Sequence, residues 1–156
     1  MNDRTRRDLL VAGGLGLLAT TILNTPARAK DTVLTEAEKD NVRLVKEFLA
    51  SWNTPPLDID KIVTQYFAPN ASVRWTDDAP PAIGVEAAAA AAKAGMPDGA
   101  VAQIEIYDIW AHGPLVATSR LDVIKIPGKP DSLFKTAGVA VVKNGKFVEY
   151  CDYVFT

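Results

Sequence analysis

Apolar residues after position 35 first recur at helical spacing and later follow the alternation of strands. Helical spacing predicts a first helix at about residues 36–52, with Thr35 as its N-cap and Glu38 completing a capping box. The same spacing predicts a second helix at residues 58–66. An alanine-rich run predicts a third helix at residues 85–94, because alanine is the strongest helix former.

Strand-like apolar segments occupy most of the remaining chain. The predicted strands are residues 71–76, 100–111, 115–126, 133–142 and 147–155. Proline, glycine and asparagine predict turns at residues 67–70 and 96–99 and a loop at residues 77–81. Asn144 and Gly145, between the last two strands, are typical of a β-hairpin turn. Helices that precede an antiparallel sheet indicate an α+β fold, and a curved sheet around helices encloses a pocket.

Charged residues interrupt two of these apolar strands. Arg120 and Asp122 lie on one strand, and Asp152 lies on the last strand together with Tyr150. Because strand side chains alternate between faces, Arg120 shares a face with Asp122, and Tyr150 shares one with Asp152. Two carboxylates and a guanidinium in an enclosed site can perform acid–base chemistry, with one carboxyl ionised and the other protonated. A structural ion-pair network without catalysis is the alternative.

The N-terminus has the order of an export signal. The pair Arg6 and Arg7 precedes an apolar run at residues 9–23, and small residues follow at positions 27 and 29. The arginine pair resembles the twin-arginine type of signal and predicts a periplasmic or extracellular protein, with an ordinary secretory signal or an uncleaved anchor as alternatives. The run is too short and glycine-rich to span a membrane well, so no stable anchor is expected after cleavage. We therefore predict a signal peptide at residues 1–29 and one domain at residues 30–156.

Charge and composition argue against several classes of function. Outside the predicted signal, 13 basic and 17 acidic residues remain. A mildly acidic domain without a basic cluster argues against nucleic acid as a partner. Cys151 is the only cysteine, so no intramolecular disulfide is expected. The single histidine, His112, lies in a turn-like Ala-His-Gly-Pro segment, and no metal site is expected.

Several segments together resemble one known superfamily. They are residues 41–49, 66–68, 80–81, 120–122 and 145–155. On these segments the chain resembles limonene-1,2-epoxide hydrolase and its SnoaL-like relatives, within the nuclear-transport-factor-2-like (NTF2-like) superfamily, over residues 36–155. The resemblance implies an NTF2-like cone, with N-terminal helices packed on a curved mixed or antiparallel sheet. It also implies a homodimer.

The resemblance assigns a role to each charged residue. Asp152 matches the base that deprotonates water, Asp122 the acid that protonates the epoxide oxygen, and Arg120 the residue that hydrogen-bonds both carboxylates. Tyr150 matches an aromatic residue that lines the pocket. The implied activity is the opening of a small apolar epoxide to a vicinal diol by an activated water, with no cofactor and no metal.

One pair of residues differs from the pattern of the family. The family holds its water with a tyrosine and an asparagine, two residues apart on the first strand. With residues 66–68 setting the register, these substrate-side positions fall on Val73 and Trp75. Valine has no polar atom and indole only donates, so neither holds a water in the same way. The residues that a strand bulge would bring in instead are Ser72, Arg74 and Thr76.

Two other functions stay open at this stage. One is a SnoaL-like isomerase or cyclase, in which an aspartate abstracts a carbon-bound proton from a polycyclic or steroid-like ketone. The other is a non-catalytic binder of an apolar small molecule. Aromatic residues predicted to line the pocket or to pack at a dimer interface include Tyr107, Trp110 and Phe134.

Overall fold

Helices come first and strands dominate later in the part of the chain that the structure describes. This computed structural model describes residues 33–97 and 99–155, so the predicted export signal lies outside it. The helices are α1 (Glu36–Ser51), α2 (Ile59–Tyr66) and α3 (Val85–Gly95). The strands are β1 (Phe67–Arg74), β2 (Ala82–Ile83), β3 (Val101–His112), β4 (Leu115–Lys125), β5 (Ser132–Lys143) and β6 (Lys146–Phe155). None of the helices in this region is long and apolar enough to cross a membrane.

The strands form a mixed sheet in the order β2-β1-β6-β5-β4-β3. β1 runs parallel to β6, and the other neighbouring pairs are antiparallel. Shifts of register at residues 106–108 and 141–142 have the form of β-bulges, which bend a sheet. The helices pack against one face of this open sheet, with the hydrophobic core between the two layers. The predicted α+β class is therefore confirmed.

Phe48 of α1 is the centre of the aromatic core. It is 1% exposed, and its ring centroid lies 5.2–6.1 Å from those of five other aromatic side chains. These are Trp52, Tyr66, Phe67, Phe147 and Tyr150. All five contacts are edge-on, the geometry that the quadrupoles of aromatic rings favour. This packing fixes α1 over β1 and β6 and holds Tyr150 between the core and the polar residues of the sheet.

The start of β1 differs from the sequence prediction. Residues 67–70 begin the strand rather than forming a turn, and the strand ends at Arg74 rather than Thr76. The predicted turn was wrong because Pro69 lies in the irregular stretch between the paired residues Phe67 and Ser72. A proline at such an irregularity costs no regular ladder hydrogen bond. The two-residue strand β2 was not predicted, because it is too short to show a periodic pattern.

The other element bounds agree with the prediction to within one residue at each end. The capping box of α1 is confirmed: Thr35 accepts from the backbone N–H of Glu38, whose carboxylate accepts from the backbone N–H of Thr35. The predicted hairpin is also confirmed, since Asn144 and Gly145 have φ of 52° and 69°, the positive values that a primed turn requires. This turn joins β5 to β6 and so contributes to the strand register at the polar site.

Candidate functional site

An apolar cavity of about 260 Å³ lies between the sheet and helices α1 and α3. Its apolar walls include Leu49 and Trp52 from α1, Ile104 from β3 and Phe134 from β5. Polar side chains enter it from the sheet. They are Arg120, Asp122, Thr136, Tyr150 and Asp152, with Thr76 after β1. The cavity therefore combines apolar walls with one cluster of ionisable groups, which is the usual composition of a small-molecule site.

Arg120 joins the two aspartates. Its Nε lies 2.9 Å from Asp122 Oδ1 and 3.2 Å from Oδ2, and its Nη2 lies 2.7 Å from Asp152 Oδ2. Its Nη1 donates to the Oγ1 of Thr118 at 3.2 Å. The side chain of Arg120 is 2% exposed, so solvent screens these charges only weakly. The strand alternation predicted from the sequence thus places both carboxylates on one face, where a single guanidinium fixes them.

Gly138 provides the space that the guanidinium occupies. It lies opposite Asp152 in the pairing of β5 with β6 and opposite Thr118 in the pairing of β4 with β5. A Cβ at this position would collide with Nη1 of Arg120 and would lie 2.9 Å from Asp152 Oδ1. Glycine inside a strand often marks such a close approach. The sequence pattern did not predict the roles of Gly138, Thr118 and Thr136, and the glycine within an apolar strand was the one signal for this contact.

Burial governs the protonation of Asp152. It raises the pKa of this carboxyl to about 6, although the Arg120 guanidinium opposes the shift. Burial also raises the pKa of the Tyr150 hydroxyl well above its ordinary value. Burial alone would lower the pKa of Arg120, but the neighbouring Tyr150, Asp152 and Asp122 raise it, so this residue stays cationic. A carboxyl with a pKa near 6 is ionised at neutral pH and is still basic enough to accept a proton.

Comparisons with known proteins identify relatives by structure. No protein-family model and no curated protein sequence matches the chain. An LEH-like epoxide hydrolase from M. tuberculosis matches with a TM-score of 0.63 at 22% identity, over 76% of this chain and 84% of that chain. SalBIII, an epoxide hydrolase/cyclase-like enzyme of pyran ring formation in the polyether salinomycin, gives 0.65 at 18%, over 78% and 95%. A protein from Jannaschia sp. CCS1 assigned as a SnoaL-like polyketide cyclase gives 0.65 at 12%, over 78% and 89%.

The chain has the NTF2-like fold. The fold expected from the sequence is therefore confirmed. Structures with this fold include an epoxide hydrolase and cyclase-like enzymes. One fold hosts many functions, so at these identities the chemistry has to be argued from the residues of the cavity.

The NTF2-like cavity brings together most of the predicted site residues. Arg120, Asp122, Tyr150 and Asp152 all line it, as does Trp75. Predicted faces and observed positions therefore coincide for these five side chains.

Val73 and Trp75 have different surroundings, although they lie on one face of the first strand and its extension. Val73 is 1% exposed and packs in the hydrophobic core, and it does not line the cavity. The sequence predicted that Val73 lies beside the substrate, but the structure places it in the core and not at the cavity. The indole N–H of Trp75 donates to the carbonyl of Ala88 at 2.9 Å, so this donor is already used by α3. Neither residue offers the cavity a free polar atom.

The three other aromatic residues predicted at the pocket or at an interface lie partly at the cavity and partly on the exposed surface. Phe134 lines the cavity, whereas Tyr107 and Trp110 are 58% and 54% exposed and lie outside it. Thr76 was expected at the site only if the first strand contained a bulge. It lines the cavity just beyond the end of β1. The aromatic pocket wall is thus built mainly from α1, β5 and Trp75.

The raised pKa of Asp152 predicts how stability depends on pH. An aspartate in an unfolded chain titrates near ~4, so the folded state holds this proton more tightly. The stabilising contribution is complete below about pH 4 and is lost as the pH rises through about 6. The free energy of unfolding of the wild type, relative to that of Asp152→Asn, should therefore fall by up to about 3 kcal/mol between these limits. Paired urea titrations measure this difference, and one that stays constant or rises would contradict the assignment.

Proposed function

We propose that this protein is a cofactor-independent hydrolase that opens a small apolar epoxide to a vicinal diol. The observation that carries the proposal is the chain of contacts Asp122–Arg120–Asp152 at the polar end of an apolar cavity. Water is a weak nucleophile and an epoxide oxygen is a poor leaving group, so a base and an acid have to act together. Two carboxylates fixed by one guanidinium supply this pair without a metal.

In the proposed reaction Asp152 is the base. Its carboxylate takes a proton from water while the water oxygen bonds to one epoxide carbon and the C–O bond at that carbon breaks. Asp122 is the proposed acid and gives a proton to the departing oxygen, so the product is a neutral diol. A proton then leaves Asp152 and another returns to Asp122, which restores the starting state. The pKa of about 6 for Asp152 supports its role as the base.

Arg120 is the organising residue in this proposal. Separate nitrogens contact the two aspartates, so neither carboxylate can turn without losing a charge-assisted hydrogen bond. Its positive charge also offsets the negative charge of the site, whether Asp152 or Asp122 is the ionised carboxyl. Positioning of this kind is worth a large part of a catalytic rate, since misplacement by about 1 Å can cost ~10²-fold.

The size and lining of the cavity support a small apolar substrate. Its volume of about 260 Å³ falls just below the ~300–1,000 Å³ typical of pockets for drug-sized ligands. Tryptophan, phenylalanine and aliphatic side chains form most of the wall. A polycyclic or steroid-like ketone fits this volume less well than a compact epoxide does.

One observation favours a second candidate, a SnoaL-like isomerase or cyclase. Val73 and Trp75 give the cavity no free polar atom at the positions where the resembled hydrolase holds its water. A base such as Asp152 suits the removal of a carbon-bound proton as well as that of a water proton. A non-catalytic binder of an apolar molecule is the third candidate, and it is favoured only if neither reaction occurs.

A paired substrate screen separates these candidates. The protein from residue 30 onwards is incubated with small epoxides, including limonene oxide, and in parallel with polycyclic ketones in D₂O. Diol formation without ketone deuteration is the expected result. Deuteration of a ketone without diol formation would replace the hydrolase by the isomerase, and a bound ligand without turnover would favour the binder.

We further propose that the protein is exported and forms a homodimer through the outer face of its sheet. Apolar side chains that support this face as an interface are exposed there: Trp110, Leu133, Tyr153 and Phe155. Trp110→Glu is expected to convert a dimer at micromolar concentration into a monomer, as measured by size-exclusion chromatography with light scattering. A wild type that elutes as a monomer would contradict the proposed dimer.

A further inference from the structure

Two buried polar atoms at the cavity have no hydrogen-bond partner among the described residues. They are Oγ1 of Thr136 and Oδ1 of Asp152, in residues that are 4% and 7% exposed. Leaving a buried polar atom unpaired is costly, so native structures nearly always satisfy such atoms. Both residues line the same cavity, which suggests that one polar ligand satisfies both atoms.

The strand register places the two residues at one polar site. Asp152 lies opposite Gly138, and Thr136 lies two positions along β5 on the same face. Such diagonal neighbours have Cα atoms about 7–8 Å apart and Cβ atoms somewhat closer. A single water that donates to two oxygens spans roughly 4.4 Å between them, because each O–H···O contact is about 2.7–2.8 Å and the two O–H bonds diverge by about 105°.

The two carboxylate oxygens of Asp152 have different surroundings. Oδ2 lies 2.7 Å from Nη2 of Arg120, which holds the carboxylate in place. Oδ1 makes no hydrogen bond with the described residues, although the nearby Tyr150 hydroxyl lowers the pKa of Asp152, so Oδ1 is open to a ligand in the cavity. A hydroxyl both donates and accepts, so Thr136 can complete the coordination of a water that donates to Oδ1.

We propose that Thr136 is the positioning residue for the attacking water, which it holds together with Oδ1 of Asp152. The inference rests on the proposed hydrolase function. The water donates one O–H to Oδ1 and the other to Thr136 Oγ1, which leaves a lone pair to bond to the epoxide carbon. Asp152 takes the first proton as that bond forms, while Thr136 keeps its own proton throughout. A threonine on β5 thereby supplies what Val73 and Trp75 do not supply from the first strand and its extension.

The first test is independent of turnover. The carboxyl of Asp152 is titrated by ¹³C NMR in the wild type, in Thr136→Val and in Thr136→Ser. A water held by the hydroxyl and donating to Oδ1 stabilises the carboxylate, so Thr136→Val is expected to raise the pKa of Asp152, and Thr136→Ser to leave it unchanged. A high-resolution crystal structure of the wild type should show the water within hydrogen-bond distance of both atoms. An unchanged pKa in Thr136→Val, or a wild type without this water, would overturn the proposal.

Kinetics form the second test. Thr136→Val is expected to lower kcat about tenfold or more, equivalent to about 1.4 kcal/mol, while KM changes little, and Thr136→Ser should restore most of kcat. A wild-type kcat in Thr136→Val would refute Thr136 as the positioning residue and leave the hydrolase intact. A wild type that opens no epoxide would refute the hydrolase instead, and the titration and crystal structure would then decide the water site alone.

Discussion

Replacing Asp152 with asparagine is expected to lower kcat for epoxide opening by about 10³-fold while preserving the fold. General base catalysis contributes ~10²–10⁴-fold, and an amide cannot accept the proton of water. The amide oxygen can still accept from Nη2 of Arg120, and the Asp122 carboxyl still contacts Nε, so the substitution keeps both hydrogen-bond partners of the guanidinium. Single-turnover diol formation measures the loss of activity, and circular dichroism checks that the fold is preserved.

The matched control for this variant is Glu149→Gln. Glu149 lies on the same strand as Asp152 but is exposed, so the substitution removes the same charge outside the cavity. It is expected to have wild-type kcat. Asp152→Asn with more than a tenth of wild-type activity, in a well-folded protein, would show that Asp152 is not the base.

Replacing Gly138 with alanine is expected to lower activity, although Gly138 lies on β5, between the strands that carry Arg120 and Asp152. The added Cβ would collide with Nη1 of Arg120 and would lie 2.8 Å from Thr118 Oγ1 and 2.9 Å from Asp152 Oδ1. The guanidinium then has to leave the position from which it contacts Asp152. We expect kcat/KM to fall about 10²-fold, because the two carboxylates lose their common support. Overpacking should also lower the free energy of unfolding by about 1–3 kcal/mol.

Ser119→Thr is the control for Gly138→Ala. It also adds one methyl group, but on an exposed position of β4 next to Arg120 along the chain and on the opposite face. Activity and urea stability are expected to stay at wild-type values. If Gly138→Ala retained wild-type activity, the position of Arg120 would not depend on the space that glycine leaves.

The fold and the charged cluster were predictable because both depend on local pattern. Apolar spacing gave α1, and strand alternation placed Arg120 with Asp122 and Tyr150 with Asp152 on the inner face. The hairpin at Asn144 and Gly145 followed from two residues that tolerate positive φ.

What the sequence did not predict depends on relations between strands or on local irregularity. Thr136 and Gly138 are near Asp152 only through the register of β5 with β6. Val73 was placed on the correct face, but its side chain is 1% exposed and packs in the hydrophobic core rather than lining the cavity. Alternation gives the face of a residue and not its depth along the strand. The proline that predicted a turn was tolerated because the register shifts there.

The most direct test of the proposed mechanism is a single turnover in H₂¹⁸O, with enzyme in excess over a small epoxide. Mass spectrometry then locates the label in the diol and in the peptides that contain Asp122 and Asp152. Direct attack by water, activated by Asp152, predicts one ¹⁸O atom in the diol at the first turnover and none in either aspartate. An unlabelled diol with ¹⁸O in an aspartate would instead show attack by a carboxylate through an ester and would contradict the mechanism.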